Sequence, residues 1–210
     1  MAELTNLETK LGEVLGLAMA AQGATEKVKK LDDLDDDLAK ALDRMHDEAA
    51  AAAIWTAEVL TAESRTFLAS LKPYGEVEGV DLFHASARDP VWEYVLTEEA
   101  ARATLELSSA PLILVGHSHV ALAITADDGR VGGGPARGGS KVTLDGRRLL
   151  NPGSVGQPRD GDPRAAWLLL DLEERFAEFR RVPYSIERTQ AEMRERGLPQ
   201  ALAARLERGE

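Results

Sequence analysis

The chain has 210 residues, 44 % of them hydrophobic, with no cysteine and a formal net charge of −11. That is enough apolar material for one sizeable core plus an appendage, and it excludes disulfides and thiolate metal sites. The negative charge opposes a broad grip on nucleic-acid backbones, yet a small anion could bind where a metal or clustered arginines reverse the local field. No apolar run approaches the ~18 residues of a membrane-spanning helix. A basic-then-apolar leader is also absent, so the expectation is a cytoplasmic protein without membrane contact.

In chain order, residues 1–53 contain neither proline nor an aromatic residue. Leu7, Leu11, Val14, Leu15 and Ala18 follow helical spacing, and Gly23 can end that helix. Leu31, Leu34, Leu38, Leu42 and Met45 continue at three- and four-residue steps, which predicts a helical hairpin over 1–53. Asp32, Asp33, Asp35, Asp36 and Asp37 read as a solvated helix start. The oxygen spacing and glycine of an EF-hand calcium loop are missing there.

From Ile54 the pattern changes, and 54–210 reads as a second domain. Trp55–Leu60 is helical, and Thr61 opens a helical turn that Pro73 and Gly75 break. "VDLFHAS" is a short apolar strand. Thr97 caps a helix through Leu107. "PLILVG" is a buried strand by its length and its flanking proline and glycine. Gly132–Gly139 is expected to be a flexible loop. "KVTLDGRRLLNPGS" reads as a hairpin turning at Asp145-Gly146. "AAWLLLDL" and "RFAEFRRVP" are the last two strands, and two helices follow, broken at Gly197-Pro199.

The chain holds four histidines. His117 and His119 stand two apart after a buried strand; in an extended segment that spacing puts both side chains on one face. His84 ends "VDLF" in the same way. Three imidazoles at strand ends, where open α/β folds bind ligands, are a candidate metal site. Arg88, Asp89, Trp92 and Tyr94 follow His84. In "NPGSVGQPRDGDP", Asn151 and Ser154 can hydrogen-bond backbone, and Gly153 and Gly156 permit a close approach to another element. That stretch is either a rigid turn under the site or a phosphate contact through its amides or Arg159. Arg88 and Arg159 are the candidate substrate-binding residues; no catalytic residue is assigned.

The stretches "WTAEVLTAESRTFLASL", "FHASARDPVWEYV", "LVGHSHV", "LLNPGSVGQPRDGDPRAAWLLLDL" and "FRRVPYSIERTQAEMRERGLP" together resemble the C-terminal part of a calcineurin-like metallophosphoesterase of the small bacterial phosphodiesterase branch. The resemblance spans about Ile54 to Leu206. It implies an α/β (α+β) fold: part of a two-layer β-sandwich flanked by helices, here preceded by the helical hairpin. It also implies a dinuclear centre of manganese, iron, zinc or nickel, with His84 and His117 on one ion and His119 on the other. The substrate would be a phosphorylated small molecule or nucleotide. The family's N-terminal motifs, Asp-x-His, Gly-Asp-x-x-Asp and Gly-Asn-His-Asp or Glu, have no match before Ile54. "RMHDEAA" carries His46 and Asp47, but Met45 stands where the asparagine ligand would be and Arg44 where the glycine would be. A bridging carboxylate offsets the charge of two ions about 3.5–4 Å apart, and three neutral imidazoles do not. The expectation is therefore a phosphoesterase with weak activity or a single ion; the alternative is a non-catalytic metal-binding or scaffold protein derived from one. Uncovered sheet edges in a half-sandwich make a homodimer the favoured assembly.

Overall fold

The computed structural model describes residue 47, residues 50–127 and residues 129–210. Most of the 1–53 hairpin, and His46 with it, lies outside the described residues. The chain divides into two compact units.

The smaller unit combines the described residues up to Leu71 with Ile186–Ala204. Helix α1 covers 50–59, and Ala52 is buried with Ala53, Leu198 and Leu202. Helix α2 (Ala62–Ser70) is capped by the Thr61 hydroxyl, which accepts from the Ser64 N–H at 3.1 Å, satisfying a donor that has no intrahelical partner. Helix α4 (Ile186–Glu195) and helix α5 (Gln200–Arg208) as far as Ala204 form the other part. Gly197 sits at φ 69°, and the Leu198 N–H reaches back to the Met193 carbonyl at 3.0 Å. This is a glycine-terminated helix end. Buried Gln190 closes the α4–α5 pair by donating to the Ala203 carbonyl at 2.9 Å.

The larger unit, Lys72–Ser185 with Arg205–Glu210, contains two sheets. Its elements are β1 (Tyr74–Val77), β2 (Val80–Phe83), helix α3 (Glu98–Leu107), β3 (Leu112–Val115), β4 (Ala121–Asp127), β5 (Arg130–Pro135), β6 (Lys141–Thr143), β7 (Arg147–Pro152), β8 (Ala165–Asp171) and β9 (Phe176–Val182). One sheet runs β1-β2-β3-β7-β4-β5 and the other β6-β9-β8. Strands β2, β3 and β7 are parallel to one another, and β4 is antiparallel to β7. Side-chain alternation sorts residues between two cores. Leu112 and Leu150 pack with Leu144, Ala177 and Phe179 between the sheets. Ile113, Val115 and Leu149 point the other way, against Ala101 and Leu105 of α3. The Thr97 hydroxyl caps α3 through the Ala100 N–H at 3.2 Å. The result is a two-sheet sandwich with a helix on its outer face. Among the described residues no helix is long and apolar enough to cross a membrane.

Two expectations need correction. Gly132–Gly139 is not a loop throughout: Arg130–Pro135 is edge strand β5, and Gly133 pairs with Ile124. A Cβ on Gly133 would lie 2.2 Å from the Ala123 carbonyl oxygen at φ 111°, so glycine there marks a close strand approach. The 141–154 stretch is not a hairpin, because β6 pairs with β9 in one sheet and β7 with β3 and β4 in the other. Asp145-Gly146 still turns the chain, with Gly146 at φ 69°, but the turn moves it between layers. Helix α2 ends at Ser70, ahead of Pro73 and Gly75; Gly75 then lies in β1, an exposed edge strand joined to β2 through Glu78 and Gly79, both at positive φ.

Candidate functional site

The parallel register sets the site. Phe83 lies opposite Val115, so the residues after them, His84 and Gly116, meet at the same sheet edge. The Gly116 N–H donates to the His84 carbonyl at 3.1 Å, and a Cβ on Gly116 would stand 3.2 Å from that oxygen. This juxtaposition brings His84 Nε2 to 3.1 Å from His117 Nδ1. The Tyr94 ring stacks on His117 with centroids 4.3 Å apart.

The extended reading of residues 117–119 is not what is found. His117 and His119 have φ of 62° and 58°, in the left-handed region that non-glycine residues enter at a cost. Asn151, fully buried in β7, helps hold the turn. Its Nδ2 donates to the Gly116 carbonyl at 2.8 Å and to Ser118 Oγ at 3.0 Å. Its Oδ1 accepts from the Gly153 N–H at 2.9 Å. Gly153, at φ 84°, lets the "NPGS" turn press on Ala121 and Ala166, where a Cβ would lie 2.8 Å from that of Ala166. Ser154 Oγ accepts from the Gln157 N–H at 2.9 Å. The Gln157 carbonyl in turn accepts a hydrogen bond from His119 Nδ1–H at 2.7 Å. That bond leaves His119 Nε2 as the lone-pair nitrogen.

Burial makes these imidazoles poor bases. His117 is pushed down to about 4, first by desolvation and then by His84. His119 falls to about 4 through desolvation and the nearby Arg159 charge. His84 is exposed as a residue, but its ring edge lies against His117, and the partial desolvation lowers it too. Buried His117 Nε2 makes no hydrogen bond of good geometry among the described residues, although the Trp92 backbone lies near enough to the ring to favour its protonated form. Neutral imidazoles, one of them locked by a carbonyl and another with an orphaned nitrogen, have the donor chemistry that borderline divalent ions prefer. Only His84 and His117 come together closely. Among the described residues, no three metal-type side chains converge tightly enough to hold an ion.

The two candidate arginines differ. Arg88 is ion-paired to Glu93 and, at 3.1 Å, to Glu99. Its bond holds the Glu93 carboxyl below the usual range, and Ser86 Oγ donates to the same carboxylate at 2.5 Å. Arg159 donates its backbone N–H to the His119 carbonyl at 3.1 Å. Its half-buried guanidinium has no acceptor among the described residues, while its charge is felt at both His117 and His119. The Gln157 carbonyl could not be found from sequence, since every residue offers one.

A two-sheet sandwich of this kind is the fold of metallophosphoesterases, and comparison with known proteins agrees at the level of fold and family. A crystal structure of a metallophosphoesterase from Sphaerobacter thermophilus superposes with a TM-score of 0.72 at 39 % identity, covering 76 % of this chain and 68 % of that one. The chain belongs to this calcineurin-like metallophosphoesterase family. It is also 32 % identical over 174 residues to an uncharacterized protein of Methanocaldococcus jannaschii, covering 80 % of this chain and 68 % of the relative. A hypothetical protein of Pyrococcus horikoshii shares the fold, with a TM-score of 0.60 at 19 % identity over 96 % of this chain and 71 % of that one. No family model matches.

Proposed function

We propose that the protein is a metal-dependent phosphoesterase of low turnover, with His84 and His117 holding a divalent transition ion, His119 serving a neighbouring ligand position, and Arg159 meeting the phosphate. The observation that carries this reading is the 3.1 Å approach of His84 Nε2 to His117 Nδ1, beside an imidazole whose tautomer a backbone carbonyl has set. When bound, such an ion supplies Lewis acidity and acidifies water. The chain's own part is to keep three imidazoles neutral at pH 7 and to aim them. Arg159 suits a phosphate better than Arg88, because Arg88 is already neutralised by two carboxylates. The substrate class is a phosphorylated small molecule or nucleotide.

Low turnover follows from the donor set. Imidazoles bring no negative charge to offset a second ion, and no carboxylate joins the histidines among the described residues. The same observation favours a second reading, a metal-binding protein without hydrolysis. One experiment separates them. Protein soaked in Mn²⁺ and desalted is analysed for bound metal, then assayed with an aryl phosphodiester. Retained metal with slow hydrolysis, both lost in His117→Ala, supports the enzyme. Retained metal without hydrolysis supports the second reading, and protein that keeps no metal refutes both.

A further inference from the structure

We propose that Asp160 and Arg181 are positioning residues for His119: a buried ion pair that clamps residues 157–160 against the histidine and thereby fixes where its Nε2 points. The inference rests on the reading of His119 as a ligand, but its geometry stands apart from any metal.

Three contacts join the two segments. The Gln157 carbonyl accepts from His119 Nδ1 at 2.7 Å. The Arg159 N–H donates to the His119 carbonyl at 3.1 Å. The Ala121 N–H donates to Asp160 Oδ2 at 3.3 Å. The first two act on His119 itself. The third acts two residues later, at the first residue of β4, so a side-chain carboxylate stands in for the backbone carbonyl that a continuing ladder would supply. His119 is thus held at its ring, at its carbonyl and just beyond it, all by one four-residue segment.

That segment has no ladder of its own and needs an anchor. Arg181, in β9 of the other sheet, provides it. Its guanidinium bonds Asp160 Oδ2 and donates at 3.1 Å to the carbonyls of both Asp162 and Arg164. The pair is out of solvent, with side-chain exposures of 4 % for Arg181 and 10 % for Asp160. Residue 138 makes room for it: a Cβ on Gly138 would lie 2.6 Å from Arg181 Cγ. A buried ion pair is weak evidence for stability, because desolvation offsets the attraction. Its geometric effect is definite here. Cross-linking 160, 162 and 164 to β9 keeps the Gln157 carbonyl on a histidine whose own backbone sits at φ 58°, a conformation that relaxes unless its surroundings enforce it.

The test uses the full chain and two readouts. Long-range ¹⁵N–¹H spectra of the metal-free protein report which His119 nitrogen bears the proton. Calorimetric Mn²⁺ titration reports ligand quality. In the parent, His119 is the Nδ1–H tautomer. Asp160→Asn should mix the tautomers of His119 while leaving the His84 and His117 signals in place, and should weaken Mn²⁺ binding about 10- to 100-fold. His119→Gln combined with Asp160→Asn should bind no more weakly than His119→Gln alone, since the pair acts through His119. A merely structural role would lower stability without moving the tautomer. If Asp160→Asn does not fold, Gly138→Ala, which displaces the Arg181 stem and deletes no polar group, is read in the same way. An unchanged tautomer with Mn²⁺ affinity within about twofold of the parent, or additive losses in the double variant, overturns the proposal. If the parent binds no Mn²⁺, the metal reading fails and the tautomer alone decides the positioning claim.

Discussion

Asn151→Ala tests how the histidine turn is held. The side chain is fully buried and makes three hydrogen bonds, to the Gly116 carbonyl, Ser118 Oγ and the Gly153 N–H. Two of those partners keep another: the Gly116 carbonyl still accepts from the Ser118 N–H at 2.7 Å, and Ser118 Oγ still faces the Val120 N–H at 3.4 Å. Each of these losses should cost about 1 kcal/mol. The Gly153 N–H has no other partner shown and would be left unpaired beside Ala121 and Ala166, at about 1–3 kcal/mol. The sum is about 3–5 kcal/mol, before any charge for the small void. With a urea slope near 2 kcal/mol per molar, the unfolding midpoint should fall by roughly 2 M. Urea unfolding followed by circular dichroism measures it. Mn²⁺ binding should weaken as well, because Gly116 and Ser118 flank His117. A midpoint drop under about 0.5 M would refute the claim that Asn151 supports the turn, and the strain at His117 would then need another source of support.

In the metal-free protein, His117 and His119 titrate at about 4 against an ordinary 6.5. Folded-state stability should therefore be full above pH 6.5 and fall as pH drops towards 4, since the unfolded chain takes up protons first, with an upper bound of about 3 kcal/mol per histidine; a flat profile of unfolding midpoint against pH across that window contradicts it. Gly133→Ala should destabilise the β4–β5 pair by at least about 2 kcal/mol, because its Cβ meets the Ala123 carbonyl at 2.2 Å; thermal unfolding reads this, and a neutral substitution would show the edge to be looser. Arg159→Ala should raise KM for a phosphodiester about tenfold or more with little change in kcat, whereas Arg88→Ala should leave KM alone; steady-state kinetics checks both. The full chain should be a dimer by light scattering at micromolar concentration, and a monomer that unfolds cooperatively would show that it closes its own edges.

Local signals in the sequence were enough for the elements whose causes are local. Thr61 and Thr97 cap helices because their hydroxyls reach N–H groups three residues on. "PLILVG" is a strand because a four-residue apolar run between proline and glycine suits a central position. His84, His117 and His119 stand out in the sequence because each comes soon after such a run, and the linked motifs pointed to the family; that His84 and His117 come within hydrogen-bonding distance is visible only in the fold. Partner choice was not legible. Nothing within residues 141–154 states that β6 and β7 join different sheets; the turn at Gly146 serves a hairpin and a layer change equally well. The glycines of β5 read as a loop because their strand role comes from the approach of β4, not from their own propensity. His117 and His119 look extended by spacing, yet both adopt left-handed backbone. Asn151, Gln157 and Asp160 hold that geometry across sequence separations of 33 to 39 residues, and Arg181, a further 21 residues on, anchors Asp160. A periodic pattern records which face of an element is buried. Which distant atom receives a given N–H is decided only when the layers stack, because contacts at such separations leave no spacing for a sequence to repeat.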